Sequence, residues 1–322
     1  MRARENGRWY EPFDPSAVTF NYTEANAWQY SFFVPHDIPG LIRLYGGKGN
    51  FVHKLDEMFN ADIRTSGRNQ LDISGMVGQY AQGNEPSHHV AYLYDDAGAP
   101  WKTQKLIRRI VDSLFTPEQD GLCGNDDCGQ RSAWYVFSAM GCYPVPPGTP
   151  FYSIGSPLFD RVTLRLDHGR QFVISTTGNG PVNPFIQSAT LNGASITRTY
   201  ISHDEIMNGG ILNFQMGPLP NQNWGVGSGD ATPAPSELGI VTAPVIQAAS
   251  NVFGDSLEIS IASLTPGASV SFAMMNGSTV GSFKKYERPL TIKASQVILA
   301  YAEKTGLRAS RTVRAVFSKF SP

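Results

Sequence analysis

Four polar loops of this chain carry residues able to do acid–base or ligand chemistry, and each runs into aromatics or a helix. YTEANAWQY places Glu24 near Trp28 and Gln29, and VPHDIPG offers His36 and Asp37. GQYAQGNEPSHHVAYLY gathers Asn84, Glu85, His88 and His89, and GLCGNDDCGQRSAWY offers Asp126 and Asp127 between glycines. Carboxylates beside Trp and Tyr suit a carbohydrate: an aromatic face stacks on the apolar face of a sugar, while carboxylates and amides bind its hydroxyls. Glycoside hydrolysis needs two carboxyl groups flanking the scissile bond. Glu24 and Asp127 come from distant loops, so a fold can set them on its two sides.

Each of these residues also has a purely structural reading. Asp37 reads as a helix cap, and His36 as a satisfied core or interface histidine. Pro86 suits a first helical turn, where its missing N–H has no partner anyway, and Asn84 or Glu85 could cap that turn. GNDD could form a cap or turn before QRSAWY, Asp126 more readily than Asp127. Trp134 and Tyr135 read as core. NDDCG lacks the alternating oxygen ligands of a helix–loop–helix calcium site, which leaves open calcium held by oxygens from several loops.

The elements that must position these loops change character along the chain. DIPGLIRLYGG, NFVHKLDEMF, PWKTQKLIRRIVDSLF and QRSAWYVFSAMG have helical patterning, with Leu106, Ile110, Val111 and Leu114 expected on one face of the third. From about residue 151 the period becomes that of strands: RVTLRLDHGRQFVIST alternates about a DHG turn, and Asn192-Gly193 signals a hairpin. GSGDATPAPSELG is a linker by composition. We therefore expect a multidomain α and β protein: helices over 1–150, a β-rich layer over 151–228, a linker over 229–240 and a small β-sandwich over 241–322.

Composition narrows the class. The 322 residues include 26 basic and 27 acidic ones with no basic run, which argues against nucleic acid as partner. Gly (32), Pro (22) and 11% aromatics, against 16% charged residues, suit a loop-rich extracytoplasmic enzyme, and no stretch is long and apolar enough for a membrane span. Cys123, Cys128 and Cys142 are too few and too irregular for zinc; a Cys123–Cys128 disulfide stays open. MRARENGRWYEPFDP has charges with no apolar segment after them, so no signal peptide is expected, and it reads as the interior of a domain with Met1 an internal methionine.

YTEANAWQYSFFVPHD, GQYAQGNEPSHHVAYLY and GNDDCGQRSAWYVFSAMGCYPVPPG, in that order, closely resemble glycoside hydrolase family 92, calcium-dependent exo-acting α-mannosidases that invert the anomeric centre. The resemblance spans about residues 1–225. It implies part of an (α/α)6 helical barrel, then a β-strand layer, with an N-terminal domain of the same parent chain missing as partner. It matches Glu24 to the general acid and Asp127 to the general base. Gln29, Asn84 and Glu85 fall among the loops around Ca2+ and the mannose of the −1 subsite, as metal ligands. Trp28, Asp72 and Asp126 are then substrate contacts, and His88 and His89 either substrate contacts or supports behind the ligands, imidazoles being poor ligands for an oxygen-seeking cation. Residues 241–322 resemble, more weakly, the Ig-like module at the C-terminus of chitobiases and hexosaminidases.

Two departures carry consequences. Members that cleave α-1,2 bonds tend to have His-Glu where this chain has Leu71-Asp72, which makes α-1,3 or another linkage a live option. Some members have an acid where this chain has Asn125, leaving Asp127 to act without a second carboxylate. The expected function is hydrolysis of terminal α-mannosides of mannose-containing glycans, including N-glycans, by a periplasmic, cell-surface or secreted parent. The competing readings are an inverting glycoside phosphorylase on a related barrel, or a non-catalytic carbohydrate-binding fragment.

Overall fold

A computed structural model of the chain describes residues 1–5, 8–146, 148–233 and 239–320. It divides into two units, Met1–Thr232 and Pro233–Pro322. The helical and first strand-rich regions thus share one unit. Of the expected linker, residues 234–238 lie outside the described residues, as do residues 321–322 of the expected terminal sandwich.

The first unit carries α1 (Ala27–Ser31), α2 (Ile38–Leu44), α3 (Lys48–Asn60), α4 (Leu93–Asp96), α5 (Pro100–Leu114) and α6 (Gln130–Met140) ahead of its larger sheets, and a short helix, His203–Met207, among the strands. Their ends follow local chemistry. The Asp37 side chain accepts from the Gly40 N–H at 2.9 Å and so caps α2. Pro100 opens α5, and Gly141, at φ +103°, stops α6 in the left-handed conformation that glycine adopts without strain. The buried faces converge on Phe51, Leu55, Met58, Tyr92, Ile107 and Trp134. On α5 the core position is Ile107 rather than Leu106; Ile110 and Val111 are buried as expected, while Leu106 and Leu114 are only partly covered. His36 is exposed, not a core histidine.

After the helices, Cys142–Tyr143, Phe151–Ile154 and Tyr200–Ser202 form a three-stranded sheet. A five-stranded sheet follows from β1 (Arg161–Arg165), β2 (Gln171–Thr177), β3 (Phe185–Leu191), β4 (Ala194–Ile196) and β5 (Gly210–Gly217), in the order β4-β3-β5-β2-β1. β1 and β2 pair antiparallel with Phe172 opposite Leu164. β3 and β4 pair through Asn192-Gly193, both at positive φ as a tight hairpin of this kind requires. Phe172, Ile174, Ile186, Leu212 and Phe214 form a second core under this sheet.

The second unit has its own core of Phe253, Leu257, Ile259, Ile298, Ala300 and Phe317. Val245–Ala248, Leu257–Ala262 and Leu290–Ile292 form one sheet; Ser269–Asn276, Gln296–Glu303 and Val313–Lys319 are the long strands of another. Leu257–Ala262 alternates buried and exposed, as a strand with one covered face must.

Candidate active site

The loop ahead of α1 is built around a strained residue. Ala25, wholly buried, sits at φ +59°, an uncommon conformation for a residue with a Cβ. The Gln70 side chain fixes it by accepting its N–H at 2.9 Å. Glu24, part-exposed, immediately precedes Ala25. Its charge is felt by Tyr30, whose phenol is raised first by burial and then by Glu24. The next residue after Ala25, Asn26, caps α1 by accepting from the Trp28 and Gln29 N–H groups, and its amide donates to Gln79 Oε1 at 2.9 Å. Gln29 donates to the Gln79 carbonyl at 3.1 Å, leaving its own Oε1 buried without a partner. Trp28 packs on the helical core with the Lys54 ammonium 4.6 Å from its ring centroid.

The second loop turns at Glu85–Ser87, a single 3₁₀ turn started by Glu85 and Pro86. Asn84 precedes it, but its side chain makes no capping bond; the cap expected from Asn84 is absent, and its Nδ2 is buried with no partner. Gln82 Nε2 is likewise buried and unpartnered. His88 and His89 are 2% and 5% exposed. His88 Nε2 lies 2.9 Å from the Gln82 carbonyl and must carry the proton, so Nδ1 is free to accept from the Gln130 amide at 3.3 Å. His89 Nε2 donates to the Phe32 carbonyl at 2.9 Å. Burial lowers both imidazoles to about 4, so both are neutral at neutral pH.

The third loop, ahead of α6, places Asp127, Cys128 and Gly129 at φ +50°, +57° and +88°, three left-handed residues in a row. Asp126 faces back to the helix, its Oδ1 accepting from the N–H and hydroxyl of Ser132, each at 2.9 Å. Asp127 points away, its side chain 39% exposed, with one oxygen 3.7 Å from the Arg131 guanidinium. Asn125 reaches Asp72, in the segment ahead of the second loop, donating to it at 3.4 Å. The three thiols are free, so the possible Cys123–Cys128 bridge is not formed.

Arg131 joins these loops. Its side chain is wholly buried, and it donates to the Gly83 carbonyl at 2.5 Å and to the Cys123 carbonyl. Segment 81–85 thus hangs from the same guanidinium as segment 123–127. The crossing is tight: a Cβ at Gly83 would meet Ser74 Oγ at 2.1 Å, and one at Gly124 would meet Arg131 Nη1 at 2.7 Å. One consequence is that Glu85 comes to the Asp127 carboxyl. Its pKa is raised, first by burial, then by hydrogen bonding with Asp127 and by that residue's charge, with Arg131 opposing.

The fold therefore brings together Glu85, Asp127 and Arg131, ties Gln29 to Gln79, and ties Asp72 to Asn125. No hydrogen bond or ion pair among the described residues links Glu24 to Asp127. Sequence reading passed over Arg131, Gln79 and Gln82. Arg131 carried one signal, a cation on the buried face of an otherwise apolar helix. The two glutamines lay in the quoted loop without any pattern to mark them.

Gln29 Oε1, Asn84 Nδ2, Gln82 Nε2, Ser74 Oγ and Arg131 Nε are buried polar atoms with no protein partner, on these loops, on the helices α1 and α6 that they lead into, and on the segment that Gly83 crosses. Buried polar groups are ordinarily paired, so such a set marks a place where ligand, ion or water completes the bonding. An orphaned amide oxygen such as Gln29 Oε1, on a loop neighbouring a carboxylate-bearing one, is the donor type a hard cation takes. Among the described residues no group of three His, Cys, Asp or Glu side chains could hold a metal.

Comparison with known proteins gives concordant matches. The family described as the glycosyl hydrolase family 92 catalytic domain matches residues 1–218. An uncharacterized secreted glycosidase of Arthroderma benhamiae is 35% identical over 216 residues, covering 66% of this chain and 26% of that protein. A family GH92 alpha-mannosidase of Bacteroides thetaiotaomicron, solved with mannoimidazole, is 38% identical with a TM-score of 0.68, over 73% of this chain and 32% of that one. A family GH92 inverting mannosidase from the same organism is 42% identical with a TM-score of 0.63, over 72% of this chain and 33% of that one. The chain spans about a quarter of the fungal relative's length and about a third of the two bacterial chains.

Proposed function

The chain belongs to glycosyl hydrolase family 92, and from that premise we propose that it is the C-terminal part of an exo-acting, inverting α-mannosidase. Residues 1–150 are then part of an (α/α)6 barrel and 151–228 its strand layer, with 241–322 an Ig-like sandwich module. The missing N-terminal domain completes the site. The observation that carries the reading is the Asp127 carboxyl, held out on a left-handed loop beside Glu85 and Arg131.

In this reading Glu24 protonates the leaving glycosidic oxygen. Asp127 takes a proton from the water that attacks the opposite face of the sugar, which needs carboxyls roughly 6.5–9.5 Å apart. Gln29, Asn84 and Glu85 would hold a calcium ion. When bound, calcium supplies positive charge to sugar hydroxyls and helps bend the ring. Gln82 Nε2 and Asn84 Nδ2 have free donors for hydroxyls, and Trp28, Asp72 and Asp126 border the same loops. His88 and His89 act behind the contact surface, fixing the loops through their carbonyl bonds. The substrate class is terminal α-mannosides of glycans such as N-glycans, and the parent works outside the cytoplasm, in keeping with a relative described as secreted. With Leu71-Asp72, a linkage other than α-1,2 is favoured. Among the described residues no helix is long and apolar enough to cross a membrane.

The test is turnover of linkage-defined mannobioses by the chain supplied with the N-terminal portion its relatives carry. The anomer released first is followed by proton NMR. β-Mannose as the first product is expected; α-mannose would overturn inversion. Product formation only with phosphate would favour a phosphorylase, and binding without turnover a carbohydrate-binding fragment.

A further inference from the structure

A recess of about 420 Å³ lies along α5, lined by residues of α3, α4 and α5, by Phe185 at the start of β3 and by Pro220. Its charge is unusual for a chain of net charge −1. Lys102, Lys105 and Arg109 line it, against the single carboxylate of Asp56. That carboxylate is committed: Lys102 Nζ donates to Asp56 Oδ2 at 2.5 Å, and the Tyr94 hydroxyl to Oδ1 at 2.9 Å. Lys105 and Arg109, four residues apart on one helix, are exposed, and no ion pair among the described residues engages either. At that spacing two side chains stand side by side, so both cations present to the same volume. Like charges so placed repel, which costs stability unless an anion joins them.

The remaining lining is mostly aromatic, with Asn60, Leu106 and Pro220 between the rings. Trp101 is part-buried on the helical core, and Phe59 and Phe185 are buried with only a small face left. An apolar, aromatic wall next to multivalent hydrogen-bond donors is the arrangement that takes a sugar ring by its C–H face while gripping a charged substituent. A guanidinium and an ammonium together match the oxygens of a tetrahedral or planar oxyanion. The volume accommodates one or two sugar rings and lies in the ordinary range for small-molecule sites, about 300–1,000 Å³.

We propose that this recess binds an anionic saccharide, a sugar bearing a phosphate, sulfate or carboxylate, with Lys105 and Arg109 on the anion and Trp101 against the ring. Such a site would anchor a charged branch of a glycan at a distance from the residues that act on it. It depends on neither Glu24 nor Asp127, so it stands or falls apart from the catalytic reading.

The test is calorimetric titration of the 322-residue chain with mannose, mannose 6-phosphate and inorganic phosphate. Mannose 6-phosphate is expected to bind at least about tenfold tighter than either of the others, and to weaken as sodium chloride is raised from about 50 to about 500 mM, since exposed charges are screened. The double variant Lys105→Ala/Arg109→Ala, two exposed positions, should keep its melting temperature and lose that preference over mannose. Trp101→Ala should lose the preference over inorganic phosphate. Equal binding of mannose and mannose 6-phosphate, or an unchanged preference in the double variant, would overturn the anion site. Inorganic phosphate binding as tightly as the phosphosugar would overturn the saccharide assignment.

Discussion

Glu85 and Asp127 come from separate loops, yet the Asp127 carboxyl acts on Glu85 through hydrogen bonding and charge. Two carboxyls so close resist ionising together, and Glu85 bears the effect: its pKa is raised by burial and by Asp127. Arg131, 3.7 Å from Asp127, offsets part of that repulsion. In the proposed mechanism this couples a calcium ligand to the residue that activates water.

If Glu24 is the acid and Asp127 the base, leaving-group quality separates them. With the N-terminal portion supplied, Glu24→Gln should cripple cleavage of a mannobiose but largely spare an activated aryl mannoside. Asp127→Asn should cripple both, each loss being about 100- to 10,000-fold. The check is kcat/KM on both substrates with melting temperature as control. Equal losses for Glu24→Gln on the two would sink the acid assignment.

Calcium should be required. Exhaustive chelation is expected to abolish hydrolysis by the same protein, and added calcium to restore it. Gln29→Leu, which removes the orphaned oxygen, should raise the calcium concentration needed for half-maximal activity. Full activity in chelator would rule out an accessible essential metal.

Arg131 should matter to the fold as well as the site. Arg131→Ala leaves the Gly83 and Cys123 carbonyls without their donor, and each buried unsatisfied group costs about 1–3 kcal/mol. A clear drop in melting temperature is expected, with Arg131→Lys falling between. An Ala variant as stable as wild type would show that the guanidinium does not tie the loops.

Burial holds Asp96 protonated in the fold, with its pKa pushed up to about 7. The unfolded carboxyl ionises near 4, so between pH 4 and about 7 the folded state binds more protons, and stability from this group is lost as pH rises. Asp96→Asn cannot ionise. Its stability relative to wild type should grow from pH 4 to pH 8, by at most on the order of 4 kcal/mol. Urea unfolding at three pH values measures it; a constant difference would mean no linkage, and one that shrinks with rising pH the wrong sign.

His88 and His89 act oppositely. Their folded pKa of about 4 lies below the ordinary imidazole value, so the stability they contribute is complete above about pH 6.5 and is lost as pH falls toward 4. Side-chain nitrogen NMR at pH 5.5 should find both rings neutral. A ring protonated there would mean that it reaches solvent. Asp96, and Asp95 whose carboxyl burial also raises, work the other way in an overlapping window.

What could be read from the sequence was local. The hairpin at Asn192-Gly193, the cap at Asp37 and the stop at Gly141 depend on φ values and side chains within a few residues, and those preferences are written in the residue types. The helical loops and their carboxylates were legible because a long motif preserves spacing along the chain. The tertiary structure decided what spacing cannot contain. Asp126 and Asp127 are neighbours of one type, yet one turns in to Ser132 and the other out to Arg131, because three left-handed residues reverse the chain between them and α6. Asn84 looked like a cap and is instead an unpartnered amide. Arg131 sits on an otherwise apolar helix, and its two carbonyl partners lie 8 and 48 residues away. Whether a buried polar atom is satisfied depends on segments remote in sequence, and only folding brings those segments into reach.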